Sequence, residues 1–298
     1  MERIGWGVLG AAWIARRAVL PAIVASRNGT LVAIASREPE RAREFASEFG
    51  ATRVSPSYES LLDDPDVHAV YIPLVNTLHR EWTLRAIARG KHVLCEKPLA
   101  MNAHEAEEMA EAAARAKLHL MEAFMYRFEP RMRAFVTGMR EPLHVQASFG
   151  FTVKDPHDIR LQPDLGGGAL LDVGCYAVSV SRWILGEPDG LSAWARHDES
   201  RPAGVDLTVS ALLHFPSGAT AAVWASCESP EQQDLTVISR DGMQRLERPF
   251  TWREAADPYQ LMVESFGDSI LGGQEVAIPI RESIANMKAL DRIRELIR

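Results

Sequence analysis

Cysteine is scarce in this sequence. Only Cys95, Cys175 and Cys227 occur in 298 residues, far apart and with no C-x-x-C. That pattern argues against a disulfide frame or a structural zinc site and for reduced thiols. The nine histidines form no H-E-x-x-H and no close ligand pair, so no metal is expected. Positive charge is in deficit: 33 Lys and Arg stand against 40 Asp and Glu, a net charge of −7. Without a basic field, nucleic acid and anionic membrane are poor partners. Apolar runs fall short of the roughly 18 residues that suggest a membrane span, and the N-terminal stretch has no signal-like apolar region. The expectation is a cytoplasmic protein with a small-molecule ligand. Hydrophobic residues make up 47%, enough for a packed core. The length exceeds a typical domain of about 100–200 residues, which points to two domains.

Lys91-His92-Val93-Leu94-Cys95-Glu96-Lys97-Pro98 organises the first half. A short apolar run between Gly90 and Pro98 reads as a buried strand. Strands buried on both faces belong to parallel sheets, whose ligands lie beyond the carboxyl ends. Lys97 stands at such an end. Upstream, Ile4–Leu9 reads as a first strand. Gly5-x-Gly7-x-x-Gly10 matches the dinucleotide fingerprint as text, but the fingerprint must follow a strand and open a helix. The turn is therefore Gly10-x-Ala12-x-x-Ala15, within Gly10-Ala11-Ala12-Trp13-Ile14-Ala15. This degenerate signal is equally compatible with ordinary strand-turn-helix packing. A second strand, Leu31–Ser36, ends where an Asp or Glu would bind the ribose of NAD. Ser36 and Arg37 stand there instead, and a hydroxyl with a guanidinium suits a 2′-phosphate. NADP is expected over NAD, although Glu38 is placed to reach a ribose. Arg41 is either a second phosphate contact or a surface helix arginine.

Helix Glu40–Phe49, a strand at Arg53-Val54 and a helix over Tyr58–Leu62 follow. A fourth strand, Val67–Ile72, stops at Pro73. Asn76 is expected to cap the helix Thr77–Arg89, with His79 one turn on as a ligand donor or a packing residue. Asn102 caps a helix through Ala116, and Leu118–Met121 is a sixth strand. Such alternation predicts a doubly wound parallel sheet over residues 1–121. The expected cofactor contacts are Gly10, Ala11, Ala12, Trp13 and Ile14; Ser36, Arg37 and Arg41; Pro73, Asn76 and His79; and Glu96 with Lys97.

After Met121 the pattern changes, and residues 122–298 read as a second, α+β domain. A helix over Pro130–Val136 precedes strands at His144–Val153, Leu191–Arg196, Val205–Phe215, Ala219–Ser226 and Leu235–Ser239. Partial alternation over 205–215 suits an antiparallel sheet, and Pro216-Ser217-Gly218 reads as its hairpin turn. Gly166-Gly167-Gly168 opens a helix to about Leu185 that carries Asp172 and Tyr176, four apart and so on one face. These are either a hydrogen-bonded core pair or a proton-transfer tyrosine tuned by Lys97 and aligned by Asp172.

Glu96-Lys97-Pro98 after a fifth strand, the downstream Asp172-x-x-x-Tyr176 and the first turn together resemble the Gfo/Idh/MocA oxidoreductases over nearly the whole chain. The resemblance implies an α/β protein: an N-terminal Rossmann domain and a C-terminal α+β domain with a large open, mostly antiparallel sheet. That sheet commonly forms dimers or tetramers. It also implies a nicotinamide cofactor and a sugar, polyol or related alcohol, with Lys97 and Asp172 as catalytic residues. Tyr176, Met121–Phe128 and Ile159-Arg160-Leu161 are similar to the dihydrodiol/xylose dehydrogenase branch, which also includes glucose–fructose oxidoreductase and favours NADP. Tyr126, Arg127 and Arg160 are candidate substrate contacts, Arg127 equally a structural ion-pair member. Non-catalytic dinucleotide sensors share this fold but need neither Lys97 nor Tyr176.

Overall fold

Six short strands pair side by side, all in parallel. In this computed structural model, which describes residues 3–200, 204–253 and 256–297, they are β1 (Ile4–Leu9), β2 (Gly29–Ala35), β3 (Arg53–Val54), β4 (Ala69–Ile72), β5 (His92–Cys95) and β6 (Leu120–Glu122). Their order is β3-β2-β1-β4-β5-β6. The intervening helices are α1 (Leu20–Ala25), α2 (Pro39–Phe49), α3 (Tyr58–Leu62), α4 (His79–Ala88) and α5 (Ala103–Ala116). This is the doubly wound sheet expected, with its order reversing between β1 and β4. At that switch point the loops after the two strands part to opposite sides and leave a crevice. Strand β1 is buried at every position, as a central parallel strand must be. Gly50 ends α2 in the left-handed conformation at φ 70°, a conformation glycine adopts without a Cβ clash.

The second sheet runs β12-β11-β7-β10-β9-β8. Its strands are β7 (Pro142–Thr152), β8 (Gly190–His197), β9 (Asp206–His214), β10 (Thr220–Ser226), β11 (Glu228–Ser239) and β12 (Gly242–Glu247). All neighbours are antiparallel except β7 and β10, which pair in parallel. Helix α6 (Pro130–Thr137) precedes the sheet, and α7 (Cys175–Leu185) packs on β7 and β10. Val209, Ala211 and Leu213 of β9 face inward, while Ser210, Leu212 and His214 alternate outward. On the outward face Trp194 is 69% exposed and lines a shallow cleft with Leu212 and Trp224. The stretch Pro163–Leu185 is long and apolar enough to cross a membrane, a length missed when only uninterrupted apolar runs are counted. It is 78% buried, as a core segment.

The chain forms two compact units that do not follow a single cut after Met121. The first comprises Met1–Ala100, His104–Phe128 and Arg253–Ser283; the second comprises Met101–Ala103, Glu129–Trp252 and Ile284–Arg298. Helix α8 (Pro258–Gly272) thus belongs with the parallel sheet, and α9 (Ile280–Leu296) runs across the division. Within the first unit Trp6 and Phe266 meet at 5.7 Å. Asn28 Nδ2 donates to Glu264 O at 2.8 Å and to Asp268 Oδ1 at 2.9 Å.

Three histidines lie at the amino ends of β4, β5 and β6. His68 Nδ1 accepts from Gly5 N–H, and His92 Nδ1 from His119 N–H, each at 2.9 Å. The His92 and His119 rings stack at 5.1 Å. An Nδ1 that accepts a main-chain N–H belongs to a neutral ring. Burial, with His119 and His68 beside it, pushes His92 down to about 4. Burial also lowers His119. The unfolded chain, with imidazoles near the usual value of about 6.5, takes up protons first. The stability that His92 and His119 contribute is complete above that value and falls as pH drops, for His92 toward 4. A Tm series from pH 7.5 to 4.5 should decline, and His92→Asn, which keeps an acceptor but does not titrate, should flatten the decline. An unchanged slope in the variant would exclude His92 as the cause.

Candidate active site

Gly10 follows β1 directly, with φ +118° and its N–H donating to Ala35 O at 2.8 Å. A Cβ there would lie 3.0 Å from Leu74 Cδ2 and 3.9 Å from Pro73 O. The turn after β1 therefore passes close to the turn after β4, a cradle that a side chain would fill. Ala11 and Ala15 are buried, whereas Trp13 is 61% exposed under the Arg17 guanidinium at 4.8 Å. Arg41 Nη2 donates to Ala11 O at 2.6 Å and pairs with Glu38 at 3.4 Å. It ties the turn to α2, and it draws Glu38 to itself. Ser36 Oγ accepts from Glu38 N–H at 3.1 Å, and Arg37 is exposed beside it. Gly5 and Gly7 serve packing: a Cβ would sit 1.9 Å from Asp66 O at Gly5 and 2.5 Å from Leu61 Cδ2 at Gly7. This is why the textual fingerprint that begins at Gly5 is out of register.

The segment after β5 is held atom by atom. Tyr71 donates to Glu96 Oε1 at 2.6 Å, and Glu96 Oε2 accepts the Lys97 N–H at 3.1 Å. His79 Nδ1 lies 2.9 Å from Pro98 O, and its Nε2 lies 3.0 Å from Leu74 O. Glu122 Oε1 accepts the Leu99 N–H at 2.9 Å. These contacts reach the segment through its main chain at three consecutive residues. They fix where the Lys97 side chain begins without using its ammonium. His79 is 0% exposed, with burial pushing it down. Its two ring nitrogens face carbonyl oxygens of the turns after β4 and β5, and a neutral ring donates to one of the two, which places His79 as a packing residue between those turns. Asn76 does not cap α4. It opens a 3-10 turn, Asn76–Leu78, and the preceding Val75 and Leu78 occupy the cap positions without side-chain bonds.

In the second unit Gly167 and Gly168 are spent on close approach. A Cβ on Gly167 would meet Arg160 O at 2.5 Å, and one on Gly168, at φ +109°, would meet Asp206 Oδ1 at 2.3 Å. Asp206 accepts the Leu170 N–H at 2.6 Å, and burial pushes its carboxyl up to about 6. The helix then begins with a π turn, Leu170–Gly174, before α7. π turns are frequent at functional sites. Asp172 lies in that turn and Tyr176 in α7, so their spacing of four spans a change of helical pitch. Tyr176 is 8% exposed and packs edge-on to Phe149 at 5.6 Å and beside Phe250 at 5.4 Å.

Arg160 Nε donates to Asp172 Oδ2 at 2.8 Å, and the guanidinium also binds Asp158. Asp172 is the main cause raising Arg160 above the ordinary guanidinium value. Arg160 thus stands beside the candidate carboxylate as its ion-pair partner. Arg127 pairs with Glu282, the structural alternative. Tyr126 is 1% exposed, edge-on to Phe124 at 5.7 Å; it is a core residue, not an accessible substrate contact. Tyr71, Glu122 and Asp206 went unnoticed in the sequence, where each is one polar residue at the end of an apolar run. Among the described residues no group of three His, Cys, Asp or Glu is placed to hold a metal.

A glycine cradle at the switch point of a parallel sheet, with a fixed lysine segment two strands away, is the arrangement of an α/β protein built to bind a nucleotide. Residues 4–124 match the oxidoreductase family with an NAD-binding Rossmann fold, and residues 140–245 match the GFO/IDH/MocA C-terminal domain. D-xylose 1-dehydrogenase (NADP(+)) 2 of Haloferax volcanii is 38% identical, covering 97% of this chain and 96% of its own. Mouse trans-1,2-dihydrobenzene-1,2-diol dehydrogenase is 37% identical, covering 82% and 74%. A crystal structure of a 3-ketoreductase mutant from Actinomadura kijaniata, with TDP-benzene and NADP, superposes with a TM-score of 0.92. It shares 32% identity and covers 100% of this chain and 98% of its own. The chain belongs to the Gfo/Idh/MocA oxidoreductase family.

Proposed function

We propose that the protein transfers a hydride between NADP and a carbinol carbon of a sugar, polyol or cyclic diol. The observation that carries this is the Lys97 segment, fixed through its main chain at the carboxyl end of β5. The residues fit a dinucleotide: Gly10 leaves room for close backbone approach, and Ser36 with Arg37 offers a hydroxyl and a cation at the end of β2. The cofactor supplies the hydride acceptor or donor. Lys97 binds the substrate oxygen and stabilises negative charge on it. Tyr176 exchanges the hydroxyl proton. Asp172, paired with Arg160, orients a substrate hydroxyl.

The test is NADP and NAD reduction at 340 nm against aldoses, polyols and cyclic diols, with cofactor affinity measured alongside. Arg37→Ala should raise the NADP KM about 10–100-fold, as expected for a lost bond to a charged group, and leave NAD unchanged. Equal effects on both cofactors would remove Arg37 from 2′-phosphate binding. Ketosugar reduction is the second reading, favoured by the likeness to the Actinomadura ketoreductase; NADPH oxidation with ketosugars tests it. Tight NADP binding without turnover in either direction would favour a sensor. The exposed outward face around Trp194 supports association through the second sheet, and a monomer mass in sedimentation at micromolar concentration would remove that expectation.

A further inference from the structure

Glu96 sits in the clamp around Lys97, yet its own orientation depends on a residue with no assigned role. Its main-chain N–H donates to Ile72 O at 3.1 Å, which fixes the backbone against β4. Glu96 is 8% exposed. A buried carboxylate stays ionised only with strong donors around it. Tyr71, fully buried on the adjacent strand, gives it a bond of 2.6 Å, within the short range of charge-assisted O–H···O⁻ contacts. The other carboxylate oxygen receives the Lys97 N–H. The Tyr71 phenol thus holds one oxygen of the group whose other oxygen holds the main chain of the candidate lysine.

We propose that Tyr71 is a positioning residue for hydride transfer, acting through Glu96 to fix the segment from which Lys97 projects. This rests on the reading that Lys97 acts on the substrate. The titratable groups around Glu96 are Tyr71 from β4, Tyr259 from the first turn of α8, and Cys95 and Lys97 on its own segment. Glu122 at the end of β6 lies near Cys95, and His79 of α4 lies near Lys97. Burial pushes both phenols up, and the Glu96 charge adds to this. Tyr71 is therefore a neutral donor throughout the working range. Removing its oxygen takes a bond from the charged form of Glu96, so Glu96 protonates at higher pH.

The experiment compares the wild type, Tyr71→Phe, Glu96→Gln, the double variant and Lys97→Met. The substrate is whichever aldose, polyol or cyclic diol the wild type turns over fastest with NADP. Tyr71→Phe should lower kcat about 10–100-fold and move the acid limb of the kcat profile up by about one pH unit. NADP affinity should be unchanged. The double variant should be no slower than Glu96→Gln alone, because both changes cut one chain of contacts. A wild-type kcat and acid limb in Tyr71→Phe, with Lys97→Met inactive, overturns the positioning role and leaves the Lys97 reading intact. So does a lowered Tm with an unmoved acid limb, or additive losses in the double variant. Full activity of Lys97→Met, or no wild-type turnover on any panel member, removes the Lys97 reading and this inference with it.

Discussion

Lys97→Met should lower turnover by about 10²–10³ or more, the loss expected when a charge-stabilising donor is removed, while NADP still binds. The change leaves the main-chain clamp in place. Glu96, His79 and Glu122 hold main-chain atoms of Lys97, Pro98 and Leu99, and methionine keeps most of the apolar stem. Loss of activity with an unchanged Tm then belongs to the ammonium and not to the fold. Single-turnover absorbance at 340 nm, with NADP affinity measured by fluorescence quenching, separates binding from chemistry. Undiminished single-turnover rates would take Lys97 out of the reaction.

Tyr176→Phe should cut kcat by about 10²–10⁴, the usual contribution of general acid–base catalysis. The ring contacts with Phe149 and Phe250 survive the change, so the loss belongs to the hydroxyl. An interaction made only in the transition state lowers kcat and kcat/KM equally. A raised KM at constant kcat would instead make Tyr176 a binding residue, and near-full turnover would leave it a core tyrosine.

The doubly wound parallel sheet and the places of Gly10 and Lys97 just past their strands were legible because each rests on local rules. A buried apolar run ended by Pro98 marks a strand end, and a fingerprint must follow its strand, which moved the turn from Gly5 to Gly10. The fates of Arg127 and Arg160 were not legible. Arg127 meets Glu282, 155 residues away, and no local pattern announces such a partner. His79 offered two readings, and the carbonyls of Leu74 and Pro98 that surround its ring come from two separate turns, which no local pattern brings together. Strand β12 was overlooked because only Leu246 of its six residues is buried, which leaves no alternation to read. The first half of β11 was missed for the same reason, since Glu228–Gln233 has no buried position.

The return of α8 to the parallel sheet governs how this protein can be cut and recombined. A fragment ending near Phe128 would lack Phe266, Glu264 and Asp268, and so would bare Trp6 and strand Asn28. Neither half is one continuous piece of gene. Exchanging the second unit for that of a relative requires splicing at Phe128/Glu129, Trp252/Arg253 and Ser283/Ile284, with the short Met101–Ala103 insert matched as well. Changes within the second unit's own loops therefore disturb fewer chain crossings than swapping it whole.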